Sequence, residues 1–448
     1  MKKSIYTVPF ILLFSGCAHL VPSHDEAVAS IKAEDNKTKV PNRFSNNANT
    51  GKVDDGWLRK FKDPTLNSLV KEAQENNPNL KVAKARVERA FALTKLTESE
   101  LKPMIDARAF YRDNNAEGAK EVSFGGLGIS WEPDLWGRVQ YSVASEQELT
   151  EATISDYNFA RQSLAANTAK AWFLLSANYE IVQFSQKIVG LQEKGLQILT
   201  AREQIGQGNK RDVHVSKALV ASAKQSLAAA RSTKERSQRA IEVLIGRYPS
   251  ASLKAKKLYN VPPRIPTGLP AQLLERRPDL IASEARVAAA FHQKKSAELL
   301  HLPRINLNLG VGANSINDSI SNLAAGIFAP LYTGGAIEAQ VATASADQKA
   351  AIAAYAYTAL RAFQEVENAL TKDKYLSEQY KYLKTMTTEY KIAYQMTREK
   401  YRIGESSILD VIITQGEWIK AEIARVQVAK ERLVNRVDLH LALAGSFE

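Results

Sequence analysis

The chain has a single cysteine, Cys17, among 448 residues. A lone thiol excludes an internal disulfide, so the fold must hold together by packing. It also excludes cysteine-based metal spacing. The six histidines are scattered, and four methionines are too few for a soft-metal relay. No phosphate loop, nucleophile elbow or zinc-protease motif occurs. The sequence therefore reads as a non-enzyme without cofactor or metal. Long apolar runs are missing as well. After residue 17 none approaches the roughly 20 residues of a spanning helix, so any membrane crossing must be made by strands.

Charge of one sign in blocks is also lacking. The net charge is +12, but acidic and basic residues alternate along helical stretches such as "KAEIARVQVAKERLVNR". That pattern reads as a solvated face rather than a nucleic-acid surface.

What is present begins with the first residues. Lys2 and Lys3 supply a basic start, Val8 to Phe14 a short apolar core, and Ser15-Gly16 small residues before Cys17. This is the layout of an export signal over 1–16. The cysteine at its end is expected to carry lipid, palmitate included, and to anchor an extended segment over 17–63.

The rest of the chain is written twice. "NNPNLKVAKARVERAF" from Asn76 answers "RRPDLIASEARVAAAF" from Arg276, and Pro103 answers Pro303, at an offset of 200. Pro133 and Gly137 answer Pro330 and Gly334. "IGQGNKRDV" answers "IGESSILDV", pairing Gly206 with Gly404 and Asp212 with Asp410. The spacing predicts two repeats, 64–246 and 270–448, joined by a proline-rich linker over 247–269. Each reads helix, hairpin (103–133, 303–331), long helix, turn (204–212, 402–410), helix.

Within each repeat the period changes from helical to two. In "RINLNLGVGAN", Ile305, Leu307, Leu309, Val311 and Ala313 point one way, and Asn306, Asn308, Gly310, Gly312 and Asn314 the other. "IDARAFY" alternates likewise, and return strands are expected over 122–131 and 323–331. One apolar and one polar face is the pattern of a membrane β-barrel. Four strands cannot close one, and an open edge does not survive in lipid, so several chains must share it. A soluble hairpin is the other reading of this pattern. Proline-free stretches predict helices of about 90–100 Å over 136–203 and 337–401. Heptads at Leu174, Ala177, Ile181, Phe184, Ile188, Leu191, Gly195 and Ile198 predict paired helices, as do Val213, Ser216, Val220, Ala223, Leu227 and Ala230. A single helix is expected before each hairpin, over 64–101 and 270–302.

The segments "GWLRKFKDPTLNSLVKEA", "NPNLKVAKARVERA", "WEPDLWGRV", "LLERRPDLIASEARVAAA", "FAPLYTGGAIEAQV" and "YRIGESSILDVI" together resemble the TolC-like outer-membrane efflux factors, in their lipoprotein branch. The resemblance implies a mainly α fold with a membrane β-barrel. It implies a homotrimer whose twelve strands, four per chain, close the barrel above a periplasmic helical tunnel. It also implies an exit duct in the outer membrane, served by a periplasmic adaptor and an inner-membrane pump. On this likeness Asp410, Asp212 and Tyr401 belong to a periplasmic gate, and Gly206 and Gly404 are approached by the adaptor. The chain departs from the family where Ile413 replaces a second acidic ring and Ser406 an arginine of the latch. An apolar plug of Ile412 or Ile413 is therefore expected beside the Asp410 ring. Helix N-capping is the structural role open to Asp212 and Asp410. The same fold could serve a type I protein-secretion conduit, and a lipid-tethered periplasmic coiled-coil spacer without a pore is the reading from another class.

Overall fold

A computed structural model describes residues 21–34, 41–44, 53, 55–112, 122–263, 265–268, 270–314 and 319–448. Cys17 and the signal segment lie outside the described residues. In chain order the elements are α1 (His24–Glu34), α2 (Trp57–Lys60), α3 (Pro64–Asn76), α4 (Pro78–Ser99), β1 (Met104–Arg112), β2 (Val122–Trp131), α5 (Arg138–Gln204) and α6 (Lys210–Leu244). The second half repeats them as α7 (Gln272–Arg276), α8 (Pro278–Glu298), β3 (Arg304–Asn314), β4 (Ile320–Phe328), α9 (Ala336–Arg402) and α10 (Ile408–Ala442). A 3₁₀ turn, Leu299–His301, follows α8. The duplication is metric as well as textual. α5 and α9 each have 67 residues, and α6 and α10 each have 35.

Contacts divide the chain into two compact units, and each takes parts of both repeats. The first holds Val87–Thr153 and Ser283–Tyr355, with α1. Its sheet is antiparallel in the order β1-β2-β3-β4. Its helices approach closely through small side chains. Ser145 Oγ donates to the Ala289 carbonyl at 2.9 Å, and Ser296 Oγ to the Arg138 carbonyl at 3.0 Å.

The second unit holds Thr38–Arg86, Ile154–Ala282 and Ala356–Glu448. Its core gathers Trp57, Phe61, Leu66, Trp172, Phe173, Ile241, Ile245, Leu433 and Val437. Buried Asp63 fixes the entry to α3. Its carboxylate accepts from the backbone N–H of Thr65 and Leu66, and from Trp172 Nε1 at 2.6 Å. The irregular linker is tied down by Glu242, which accepts from the N–H groups of Ala251, Ser252 and Leu253.

Four expectations change. The helix before each hairpin is broken, at Asn77 and at Arg277, both extended at ψ near 120°. Each precedes a proline, whose ring disfavours α geometry in the residue before it. The fourth strand lies three residues earlier, over Ile320–Phe328. The segment over 17–63, expected to be extended, contains α1 and α2. α1 starts where Glu26 reaches back to the Ser23 N–H and hydroxyl, half of a capping box. Finally, the α5 heptad is right in period and only partly in phase, with Ala177 and Gly195 buried as expected. Buried Asn178, Val182, Ser185, Val189, Gln192 and Leu199 sit one residue beyond the expected seam, leaving Leu174 and Ile198 exposed. The α6 seam holds at Val213, Ser216, Val220, Ala223 and Leu227.

Candidate functional site

The candidate site has two parts, the helical turns of the second unit and the strand face of the first. Both long helices end alike. At α5 the Gly206 N–H donates to the Glu203 carbonyl at 3.0 Å and the Gln207 N–H to Arg202 at 2.8 Å. At α9 Gly404 donates to Tyr401 at 3.1 Å and Glu405 to Lys400 at 2.9 Å. This paired closure is the Schellman motif, and its C′ residue needs a left-handed backbone. Gly206 and Gly404 supply it at φ of 77° and 84°. No atom lies within 4 Å of where either glycine would carry a Cβ, so the glycines are there for conformation, and the space beside them is open.

The next helices are capped by neighbours of the two aspartates. Asn209 is the N-cap of α6, accepting from the Arg211 N–H at 2.9 Å. Ser407 caps α10, accepting from the Asp410 N–H at 3.1 Å. Asp212 and Asp410 thus occupy the third helical position, where carboxylates favour the helix dipole. Asp410 also closes a capping box. Its carboxylate accepts from the Ser407 N–H at 3.0 Å, the Ser407 hydroxyl at 2.8 Å and the Ser406 hydroxyl at 3.1 Å. These bonds, led by those from Ser407, hold its pKa below the usual carboxylate range. Ser406, standing where the family resemblance expects a latch arginine, is engaged with Asp410 itself.

The helix ends converge on an apolar cluster of Leu199, Val213, Ile408, Val411 and Ile412, with Leu196, Tyr394 and Tyr401 against it. Here the two plug candidates separate. Ile412 is buried against Gly195, where any added Cβ would collide with its Cδ1. It therefore packs inside the chain, while Ile413, one residue and about 100° onward, is 51% exposed. Of the two, Ile413 is the one whose side chain is exposed. Tyr401 meets Arg202 of α5. The guanidinium lies 5.4 Å from the ring centroid, and Nη2 donates to the phenol at 3.4 Å. The family resemblance set Tyr401 and Asp212 in one gate and did not point to Arg202. The available signal was a cation in the last turn of a helix that ends at the matching glycine.

The strand face follows from register. Opposed pairs such as Ile105↔Ile129, Ala107↔Leu127, Ile129↔Leu309, Leu309↔Leu323 and Ile305↔Ile327 place most aliphatic residues of the four strands on one side. That side is exposed at Ile105, Leu127, Leu309, Val311, Leu323 and Ile327. The opposite side carries Asp106, Arg108, Asn306, Asn308 and Asn322, with glycines between them. Asp106 and Arg108 form an ion pair there. Gly128 and Gly310 leave room for Asp106 and Asn322, whose carboxylate and amide oxygens would meet any added Cβ. At the helix end of the sheet, exposed Trp131 and Trp136 turn their indole N–H groups to the carbonyls of Leu101 and Pro303.

A family model described as "Outer membrane efflux protein" matches residues 69–247 and 269–445. This chain belongs to that family. Among its relatives it is similar to the pyoverdine export outer membrane protein OpmQ of Pseudomonas putida, 27% identical over 419 residues that cover 88% of this chain and 89% of OpmQ. It is also similar to the cation efflux system protein CusC of Escherichia coli O6:H1, 24% identical over 409 residues that cover 88% of each chain. In structure it resembles the open state of the Neisseria gonorrhoeae MtrE outer membrane channel, with a TM-score of 0.82 at 27% identity over 92% of this chain and 96% of that one. The efflux-factor resemblance drawn from the repeated segments is therefore met. The chain is an efflux protein of the outer membrane with a mainly helical, duplicated strand-and-helix fold.

Proposed function

We propose that three copies of this chain form a passive exit duct for small molecules in the outer membrane. The observation that carries the reading is the four-stranded sheet, with an exposed aliphatic face on one side and, on the other, a face of polar residues and glycines that turns aromatic toward the hairpin ends. Its outer strands β1 and β4 have open edges, and lipid does not tolerate such edges, so neighbouring copies must pair them. Three copies give twelve strands. The apolar face then meets lipid, the Asp106, Arg108 and Asn face lines the lumen, and Trp131 and Trp136 sit at the periplasmic interface, where indoles are favoured. Cys17 supplies the lipid anchor of each chain.

The helical turns are the gate and the docking end. The Arg202–Tyr401 contact joins the end of α5 to the end of α9 and holds the closed state. Ile413 supplies the apolar plug, and Asp410 an acidic ring that attracts cations. Gly206 and Gly404, with open space beside them, admit the tips of a periplasmic adaptor, which links the duct to an inner-membrane pump. The names of the relatives attach them to pyoverdine in one case and to cations in another. Cargo in this reading is chosen by the pump.

The lipid-facing assignment is tested at Leu307 and Leu309. Replacing both with arginine should abolish outer-membrane assembly, at a cost of about 2–4 kcal/mol each near the bilayer centre. Trimer yields in outer-membrane fractions equal to wild type would refute it.

A further inference from the structure

The polar face of the sheet changes character toward the hairpin ends. Phe110, two residues before the end of β1, is paired in register with Phe124 near the start of β2. Both lie on the same face as Asp106 and Arg108. Their rings stack with centroids 5.4 Å apart and 27° between planes. The Phe124 ring lies across the backbone of two strands. A Cβ on Gly126 would stand 2.8 Å from its Cζ, and one on Gly312 would stand 3.0 Å from its Cε2. The glycines form a floor that seats the ring flat, and any larger residue would lift it. Ile320, opposite Gly312 on β4, continues this apolar level across the sheet. Phe110 remains 50% exposed, offering one flat π face away from the floor.

We propose that Phe110 and Phe124 form an aromatic contact site for planar aromatic solutes at the outer end of the lumen. This rests on the duct reading, which puts this face inside the barrel. Lipid cannot reach it there, and a solute leaving the duct must pass it. The Asp106–Arg108 pair beneath it is internally neutralised, so the site selects by stacking rather than by charge. Offset stacking on a fixed ring needs little reorganisation, because the glycine floor already holds Phe124 in place. Three copies would set three such pairs around the exit.

The test is single-channel recording in a planar bilayer, with naphthalene-2-sulfonate and methanesulfonate as probes of equal charge. Potassium chloride conductance is recorded first, and its absence from well-assembled protein would remove the duct reading itself. In a conducting wild type, the aromatic anion should block at a concentration about tenfold below the aliphatic one. Phe110→Ser with Phe124→Ser should erase that ratio and leave the salt conductance within twofold. If the serine variant fails to assemble, Phe110→Leu with Phe124→Leu keeps the bulk and should still reduce the ratio severalfold. An unchanged ratio in a conducting variant would overturn the proposal. An unchanged ratio with loss of heat-resistant trimers would overturn it too, assigning the rings to packing between copies.

Discussion

The two repeats share one backbone and differ in how they secure it. Asn77 and Arg277 occupy matching breaks before a proline, and each donates to a carbonyl at the end of the matching return helix. Asn77 reaches Leu244 at 2.8 Å, and Arg277 reaches Ala442 at 3.2 Å. The first uses a neutral amide. The second uses a guanidinium that is 2% exposed and held by Asp279 and Glu365 at 2.7 and 2.8 Å. Burial disfavours its charge, yet the two carboxylates outweigh burial and raise its pKa. The return helices also close alike. Gly246 and Ala444 are the left-handed residues of matching Schellman ends, at φ of 76° and 54°. Duplication has kept the dihedrals and bond pattern of the backbone, while the side chains that stabilise them have diverged.

That difference can be pressed hardest at the buried cation. Arg277→Ala takes the buried cation from Asp279, while Glu365 keeps its ion pair with Arg361 at 3.1 Å, and it should destabilise by about 3 kcal/mol, the low end for a broken buried pair because Glu365 is partly solvated. Asn77→Ala loses a neutral bond and the cap on the Leu80 N–H, which should cost about 1–2 kcal/mol. Thermal melts of the two variants should rank in that order, and equal losses would mean that the charge adds nothing.

The Schellman ends should respond with opposite signs. Ala444→Gly relieves a left-handed alanine and should stabilise by about 0.5–1 kcal/mol, whereas Gly246→Ala imposes that strain. The new methyl of Gly246→Ala would also meet the Asn76 carbonyl oxygen at 2.8 Å. Melting shifts of the same sign would break the equivalence.

A comparably small effect lies at the turns. Ser407→Ala and Asn209→Ala should each cost about 1 kcal/mol, and the effect of the first should depend on acid. Asp410 has a depressed pKa when folded, so its box stabilises above the ordinary carboxylate value. That contribution disappears as pH falls through the lower, folded value. In acid titrations, wild type and Asp410→Asn should differ at pH 7 and converge below about pH 4. A difference that persists at low pH would remove the carboxylate from the cap.

Much of this was legible in the sequence, because its signals are geometric. Proline-free stretches marked α5 and α9 within one or two residues. Strict alternation in "RINLNLGVGAN" marked β3 and its two faces, and the paired glycines marked both turns. What escaped depended on partners distant in sequence. The prolines at 78 and 278 were read as interior to one helix, though each ends the segment before it. The α5 seam was misphased because its apolar stripe is two residues wide, and only contact with α6 and α10 decides which edge is buried. Ile412 could not be told from Ile413 without Gly195. Arg202 became visible only when two chain segments roughly 200 residues apart met at Tyr401. Ala444 gives no composition signal for a left-handed turn.

The central claim is a duct closed at these turns by the Arg202–Tyr401 contact. It is tested most directly by single-channel conductance in a planar bilayer, comparing wild type with Arg202→Ala and Tyr401→Phe combined. Wild type should show a small conductance that rises severalfold in the double variant. Equal conductance in the two proteins, or none from well-assembled trimers of either, would contradict it.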